Sequence, residues 1–341
     1  MLIKEAQNMT GKANHPNQNE AGTAVEASLT AGDAAGHMAD AAGLVAEAPP
    51  KPQIRALAIH DISCFGRCSL TVALPILSAA GIDTPVIPTA VLSTHTGGFT
   101  GFTYRDLTQE IEPVVAHWRR LGLGFDAIYT GFLGSFEQMG IVSDAFDALK
   151  AAPAPGGEGT LIVVDPVMAD NGELYSIFPA DFPDGMRELC RKADVIVPNM
   201  TEAALLLGEP YREAPHARGE IEGMLRALAA LGPQRVVLTG VGYDAQTLGA
   251  ASFDARTGAF GYAYKNRIDP MYHGTGDVFA SALTAAALHG CTLAQACEVA
   301  VSFTVDAIAR TKAAGTDNRF GVNFEAGLAG LPALIWAARG A

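Results

Sequence analysis

Residues 160–168 read TLIVVDPVM. The run from Leu161 to Val164 is apolar at every position, so it offers apolar side chains to both faces of a strand. A strand with one wet face alternates apolar and polar residues. One that is apolar throughout belongs to a sheet covered on both sides, the usual state of parallel sheets. The spacing predicts a strand over 160–165, with Asp165 at its carboxyl end.

The same alternation extends in both directions. Toward the N-terminus, strands are predicted over 54–60, 85–92 and 126–130, and helices over 70–80, 106–121 and 135–149. In the second helix Leu107, Ile111, Val114, Val115 and Trp118 recur at helical spacing. Toward the C-terminus, strands are predicted over 194–198 and 235–239, and helices from about 201 and over 219–231. A hairpin is predicted over 248–253 and 260–264, turning at Thr257-Gly258. Two long helices follow, over 278–289 and 293–310. Strands alternating with helices build βαβ units with right-handed crossovers. The expected fold is therefore a single α/β domain over 53–341, a central, mostly parallel sheet with helices on both faces and no large lid domain. In such sheets the ligand sits outside the carboxyl ends of the strands.

Residues 1–52 have a different composition. They carry no aromatic residue, are rich in Ala and Gly, and run into Pro49-Pro50-Lys51-Pro52. Too little apolar surface is available there to offset ordering entropy, so the segment reads as a disordered tail. The chain carries 23 basic and 36 acidic residues, a net charge of −13, which argues against a general nucleic-acid binder. No apolar run reaches the ~18–20 residues of a membrane span, and the N-terminus lacks an apolar signal core. Cys64, Cys68, Cys190, Cys291 and Cys297 are odd in number and form no CxxC pair. They read as reduced thiols in a cytoplasmic protein without a zinc site.

The segments after the strands carry the chemistry. His273-Gly274-Thr275-Gly276-Asp277 stands before the helix predicted from Val278. The glycines let backbone approach a ligand, and a helix N-terminus suits a phosphate. Asp277 stands beside that anion site, ionised at the ordinary aspartate value of about 3.9 and so able to accept a hydroxyl proton. Amide donors for charge plus a base are the parts of phosphoryl transfer to an alcohol. The plain alternative is an aspartate capping a helix after a glycine-rich turn.

Asp165 is placed to hold Mg²⁺ through water, or a phosphate through the metal; the alternative is a turn residue. Asn199 and Glu202, three apart, share a face of a first helical turn, and a capping arrangement explains them equally well. Thr239-Gly240, after the next strand, offers a hydroxyl and open backbone to nucleotide phosphates, or forms a simple turn. Asp61 and Ser63 after the first strand, and Thr96 and Gly97 after the second, are small polar groups suited to a polar ring. There is no GxxxxGK[ST] and no GxGxxG after the first strand, so neither a P-loop nor a dinucleotide fingerprint is present.

Taken in order, HDISCFGRCS, STHTGGF, GFLGS, DPVMADNG, PNMTE, VVLTG and HGTGD resemble the pyridoxal/pyridoxamine kinase branch of the ribokinase-like superfamily over about residues 54–325. GTGD marks the superfamily, the DPVM and PNxTE pair the vitamin kinases, and STHTGGF with GFLGS the pyridoxal kinase branch. The resemblance implies a ribokinase-like domain that transfers the ATP γ-phosphate to the 5′-hydroxymethyl group of a B6 vitamer, with Mg²⁺ and K⁺, in a homodimer. It assigns Asp277 as the base and Gly274, Thr275 and Gly276 as the anion hole. Asp61, Ser63, Thr96 and Gly97 fall on the ring side. Asp165, Asn199 and Glu202 fall on the metal and phosphate side, with Asp165 and Glu202 nearest the metal, and Thr239 with Gly240 on the nucleotide side. Several members carry Ser where this chain has Asp61 and a Lys near Thr239. Asp at the ring position is common in hydroxymethylpyrimidine kinases, which form the alternative activity. A non-catalytic binder of vitamer or nucleotide is the alternative from another class.

Overall fold

The computed structural model describes residues 53–150 and 159–340; the tail expected over 1–52 lies outside them. Six strands, numbered in chain order, pair in parallel. They are β1 (Ala56–Ser63), β2 (Val86–Leu92), β4 (Ala127–Thr130), β5 (Leu161–Val164), β8 (Val195–Ile196) and β9 (Arg235–Val241). Their spatial order is β2-β1-β4-β5-β8-β9. The short strand β3 (Tyr104–Asp106) closes one edge antiparallel to β2. The antiparallel hairpin of β10 (Thr247–Asp254) and β11 (Ala259–Asn266) closes the other against β9. A separate two-stranded hairpin, β6 (Ala169–Asp170) and β7 (Glu173–Leu174), follows β5.

Strand alternation divides the core into two. Leu57, Ile59, Ile162, Val164, Val236 and Leu238 face one layer, while Ala56, Val163 and Val237 face the other. The first layer is completed by α2 (Thr108–Arg120), α3 (Phe136–Lys150), α4 (Phe182–Arg191), α5 (Met200–Leu207) and α6 (Arg218–Ala230). The second is completed by α1 (Leu70–Ala79), α7 (Thr275–Leu288), α8 (Leu293–Ala313) and α9 (Leu331–Arg339). Both faces of the parallel strands are thus buried, as their apolar composition requires.

Four differences from the expected elements matter. Helix α2 begins at Thr108, because Asp106 belongs to the edge strand and its Oδ1 accepts the Thr108 N–H at 2.8 Å. Helix α7 begins at Thr275, so Thr275, Gly276 and Asp277 are its first turn and Gly274 its N-cap. Strand β1 runs on to Ser63, with a register shift against β2 between His60 and Ile62 that falls on Asp61. Helices α4 and α9 and the β6–β7 hairpin were not anticipated. The strand order turns around at β1, with β2 on one side and β4 on the other, which puts a crevice at their carboxyl ends.

Candidate active site

A cavity of about 720 Å³ opens along the carboxyl ends of the parallel strands. Every residue singled out in the sequence lines it: Asp61, Ser63, Thr96, Gly97, Asp165, Asn199, Glu202, Thr239, Gly240, Gly274, Thr275, Gly276 and Asp277. The chain contributes them from six separate segments, which the sheet brings to one rim.

The glycines of the Gly274 turn do two different jobs. Gly274 has φ +73°, and a Cβ there would collide with the Arg67 carbonyl oxygen. Both the left-handed backbone and the contact require glycine. Gly276 is not strained; a Cβ on it would meet nothing within 4 Å, so it leaves open space at the start of α7. The Thr275 hydroxyl is turned back to the Tyr272 carbonyl at 3.2 Å, which leaves the backbone N–H groups of this turn as the donors to an anion.

Asp277 stands at that helix start. Burial pushes its carboxyl up to about 7; the Ser69 backbone N–H beside it pulls the other way, and the nearby Asp61 charge adds to the rise. A carboxyl near 7 is half ionised at neutral pH and matched to moving a hydroxyl proton. The ordinary value assumed from sequence does not hold here, because protein atoms replace water around the group.

Asp61 lines the cavity near the carboxyl end of β1. Its Oδ1 accepts Ser69 Oγ–H at 2.5 Å and its Oδ2 accepts Ser63 Oγ–H at 2.9 Å. Ser63 is therefore tied to Asp61 rather than presented alone. Burial raises the Asp61 carboxyl, and the two hydroxyls hold it back. The Thr96-Gly97 loop is fixed by His95, whose Nδ1 accepts the Gly97 N–H at 3.1 Å and whose Nε2 lies 2.6 Å from the Arg319 carbonyl. This pairing selects the Nε2–H tautomer.

Elsewhere in the cleft wall, Asn199 and Glu202 form a complete capping box on α5. Asn199 Oδ1 accepts the N–H groups of Thr201 and Glu202, while Glu202 Oε2 accepts the Asn199 N–H at 2.9 Å. Glu202 Oε1 also accepts the Met168 N–H at 3.1 Å. The capping reading is thus realised, and it fixes a buried carboxylate in the cleft wall. Asp165 is buried beside it, and its carboxyl is driven well up by burial and by the charges of Glu202 and Asp277. Crowded carboxylates of this kind suit a hard divalent cation. Among the described residues no three metal-ligating side chains converge.

The remaining wall was not foreseen. Leu248 on β10, Phe279 on α7, and Val301, Val305 and Ile308 on α8 give the cavity apolar lining. Val301, Val305 and Ile308 are spaced i, i+4, i+7, one helix face. That spacing was legible, but a core face and a ligand slot share it. Cys68 also lines the cavity, with its thiol held high by burial, which favours an unreactive thiol.

The comparisons with known proteins decide the family. The phosphomethylpyrimidine kinase family model matches residues 78–321. The chain belongs to the phosphomethylpyrimidine kinase family. Members of this family share the ribokinase-like fold, and solved structures agree with it. A Bacteroides thetaiotaomicron protein described as a phosphomethylpyrimidine kinase, in an orthorhombic form with pyridoxal, is 39% identical, with TM-score 0.76 over 82% of this chain and 96% of its own. Pyridoxal kinase from Lactobacillus plantarum is 36% identical, with TM-score 0.73 over 82% of this chain and 97% of its own. The pyridoxine/pyridoxal/pyridoxamine kinase of Bordetella avium is 28% identical over 264 residues, spanning 73% of this chain and 83% of that protein.

Proposed function

We propose that this protein phosphorylates the 5′-hydroxymethyl group of a B6 vitamer with ATP, in salvage of pyridoxal 5′-phosphate. The observation that carries the reading is Asp277, tuned to about 7, at the mouth of a glycine-lined helix start within the cleft that also holds Asp61 and Thr96. The relatives named pyridoxal kinase, and the Bacteroides form with pyridoxal, support the vitamer as acceptor.

The chemistry follows from the residues. The vitamer ring lies between Asp61 and the Thr96-Gly97 loop, which aims its hydroxymethyl group at Asp277. Asp277 takes the hydroxyl proton as the oxygen bonds to the γ-phosphorus and the bond to the ADP oxygen breaks. The N–H groups of the α7 start hold the charge on the transferring phosphoryl group, and need no reorganisation to do so. The triphosphate passes Thr239 and Gly240, with the base against the apolar lining from α8. Asp165, with Glu202 behind it, would hold Mg²⁺, which neutralises phosphate charge when bound.

A homodimer and a K⁺ requirement belong to the same reading and rest on the resemblance; a cytoplasmic location rests on the cysteine pattern. No helix among the described residues is long and apolar enough to cross a membrane. Phosphorylation of hydroxymethylpyrimidine is the second reading, favoured by Asp61 at the ring position and by the family model's name. A silent binder is disfavoured by the completeness of the site. Turnover of ATP with pyridoxal, pyridoxamine, pyridoxine and hydroxymethylpyrimidine, with and without K⁺, separates them. Turnover confined to hydroxymethylpyrimidine would overturn the vitamer reading, and binding without turnover would favour the silent one.

A further inference from the structure

The cleft is a poor electrostatic host for a polyphosphate. Asp61, Asp165, Asp170, Glu173, Glu202 and Asp277 line it. Its two histidines, His95 and His273, are held below the ordinary imidazole value by burial and are neutral at pH 7. Among the described residues that line the cleft, one Lys or Arg is present, Arg267.

Topology puts this residue at the donor end. Strand β10 runs antiparallel to β9, and β11 antiparallel to β10. The carboxyl end of β11 therefore returns to the rim that carries Thr239 and Gly240. Arg267 is the next residue, pinned by its backbone N–H to the Gln246 carbonyl at 2.7 Å. The chain then runs through residues 268–273 into the Gly274 turn. The Arg267 Nε donates to Asp269 Oδ1 at 3.0 Å, which orients the side chain and engages neither terminal nitrogen. Those two nitrogens are the fork that binds phosphate oxygens.

We propose that Arg267 binds the phosphates of the nucleotide donor and supplies the fixed positive charge that the rest of this cleft lacks. The proposal rests on the reading that the donor is ATP. It gives Arg267 a role in donor affinity, distinct from the proton transfer at Asp277, and it makes Asp269 the residue that orients it.

The test uses the full chain and measures ADP binding calorimetrically with Mg²⁺ and no vitamer. Arg267→Gln should weaken ADP binding about tenfold or more, raise KM for ATP in step, and leave KM for pyridoxal unchanged. Arg267→Lys should recover part of the loss, since the charge returns without the fork. Asp269→Asn, which keeps the guanidinium charge but loosens its orientation, should weaken ADP binding by more than about twofold yet by less than Arg267→Gln does. ADP binding in Arg267→Gln within that same margin would overturn the proposal. So would equal losses in Arg267→Gln and Asp269→Asn, because the effect would then come from the loop's shape. The Arg267–Asp269 pair is exposed, so the melting temperature should not move. If the unaltered protein turned over no vitamer while Arg267→Gln still lost ADP, the vitamer reading would fall and this proposal would stand.

Discussion

Ser69 Oγ donates to Asp61 Oδ1 across 2.5 Å, while the backbone N–H of the same serine faces Asp277. One residue thus links Asp61 to the proposed base. It does so at a backbone cost, because Ser69 has φ +56°, a left-handed conformation that costs a non-glycine residue on the order of 1 kcal/mol. Its position directly before α1 and the Ser69–Ile62 bridge hold it there.

Ser69→Ala removes the hydroxyl and keeps the backbone N–H. Asp61 then loses one of its two donors while Asp277 keeps its own. KM for the vitamer should rise about tenfold, with KM for ATP unchanged. Steady-state kinetics with each substrate varied in turn check this; equal changes in both constants would contradict the separation of roles.

Asp277→Asn should cut kcat by about 10²–10⁴ and leave ADP affinity intact. It should also stabilise the ligand-free protein. A carboxyl whose value rises from 3.8 to about 7 on folding binds more protons folded than unfolded. Its contribution to stability therefore falls as pH climbs through that window. The asparagine avoids this loss, so melting temperatures should converge toward pH 4, diverge as pH rises to about 7 with the variant higher, and keep that gap above neutral pH.

The same shift sets a pH profile. The base acts only when deprotonated, so kcat/KM should fall as pH drops through about 7, with a slope of one in log units. An aspartate at its ordinary value would hold the rate level down to about pH 5. A level profile over that range would show that burial does not tune Asp277.

Gly274 and Gly276 should respond differently to alanine. At Gly274 the new methyl meets the Arg67 carbonyl and the backbone is left-handed, so Gly274→Ala should lower the melting temperature and abolish turnover. At Gly276 there is room. Gly276→Ala should fold normally and raise KM for ATP, because the methyl enters space meant for phosphate. Thermal melts paired with ATP kinetics distinguish the two.

Much of this site was legible before the fold was known, for a physical reason. A parallel sheet gathers the carboxyl ends of its strands on one rim, so acids and glycines after apolar runs converge whatever the intervening helices do. Asp61, Asp165 and Glu202 are of this kind, while Asp277 reaches the rim through the loop that follows the edge hairpin. Helix α8 was recognised as a helix, but its cleft face of Val301, Val305 and Ile308 has the same spacing as a core face. Arg267 was missed because it follows an edge hairpin, outside the strand-to-helix pattern that directed attention. The start of α7 was placed three residues late because glycine reads as a helix breaker, whereas here Gly276 lies within the first turn. Local rules also left Asn199 and Glu202 undecided, and the capping box shows that one pair of residues serves both the helix and the cleft wall.

The most direct test of the account is ATP turnover on the four candidate acceptors, run in parallel on the unaltered protein and Asp277→Asn. The account predicts phosphorylation of at least one B6 vitamer at its 5′-hydroxymethyl group, well above that of hydroxymethylpyrimidine, with turnover lost in the variant while ADP still binds. Vitamer phosphorylation that persists undiminished in Asp277→Asn, or its absence from the unaltered protein, would contradict it.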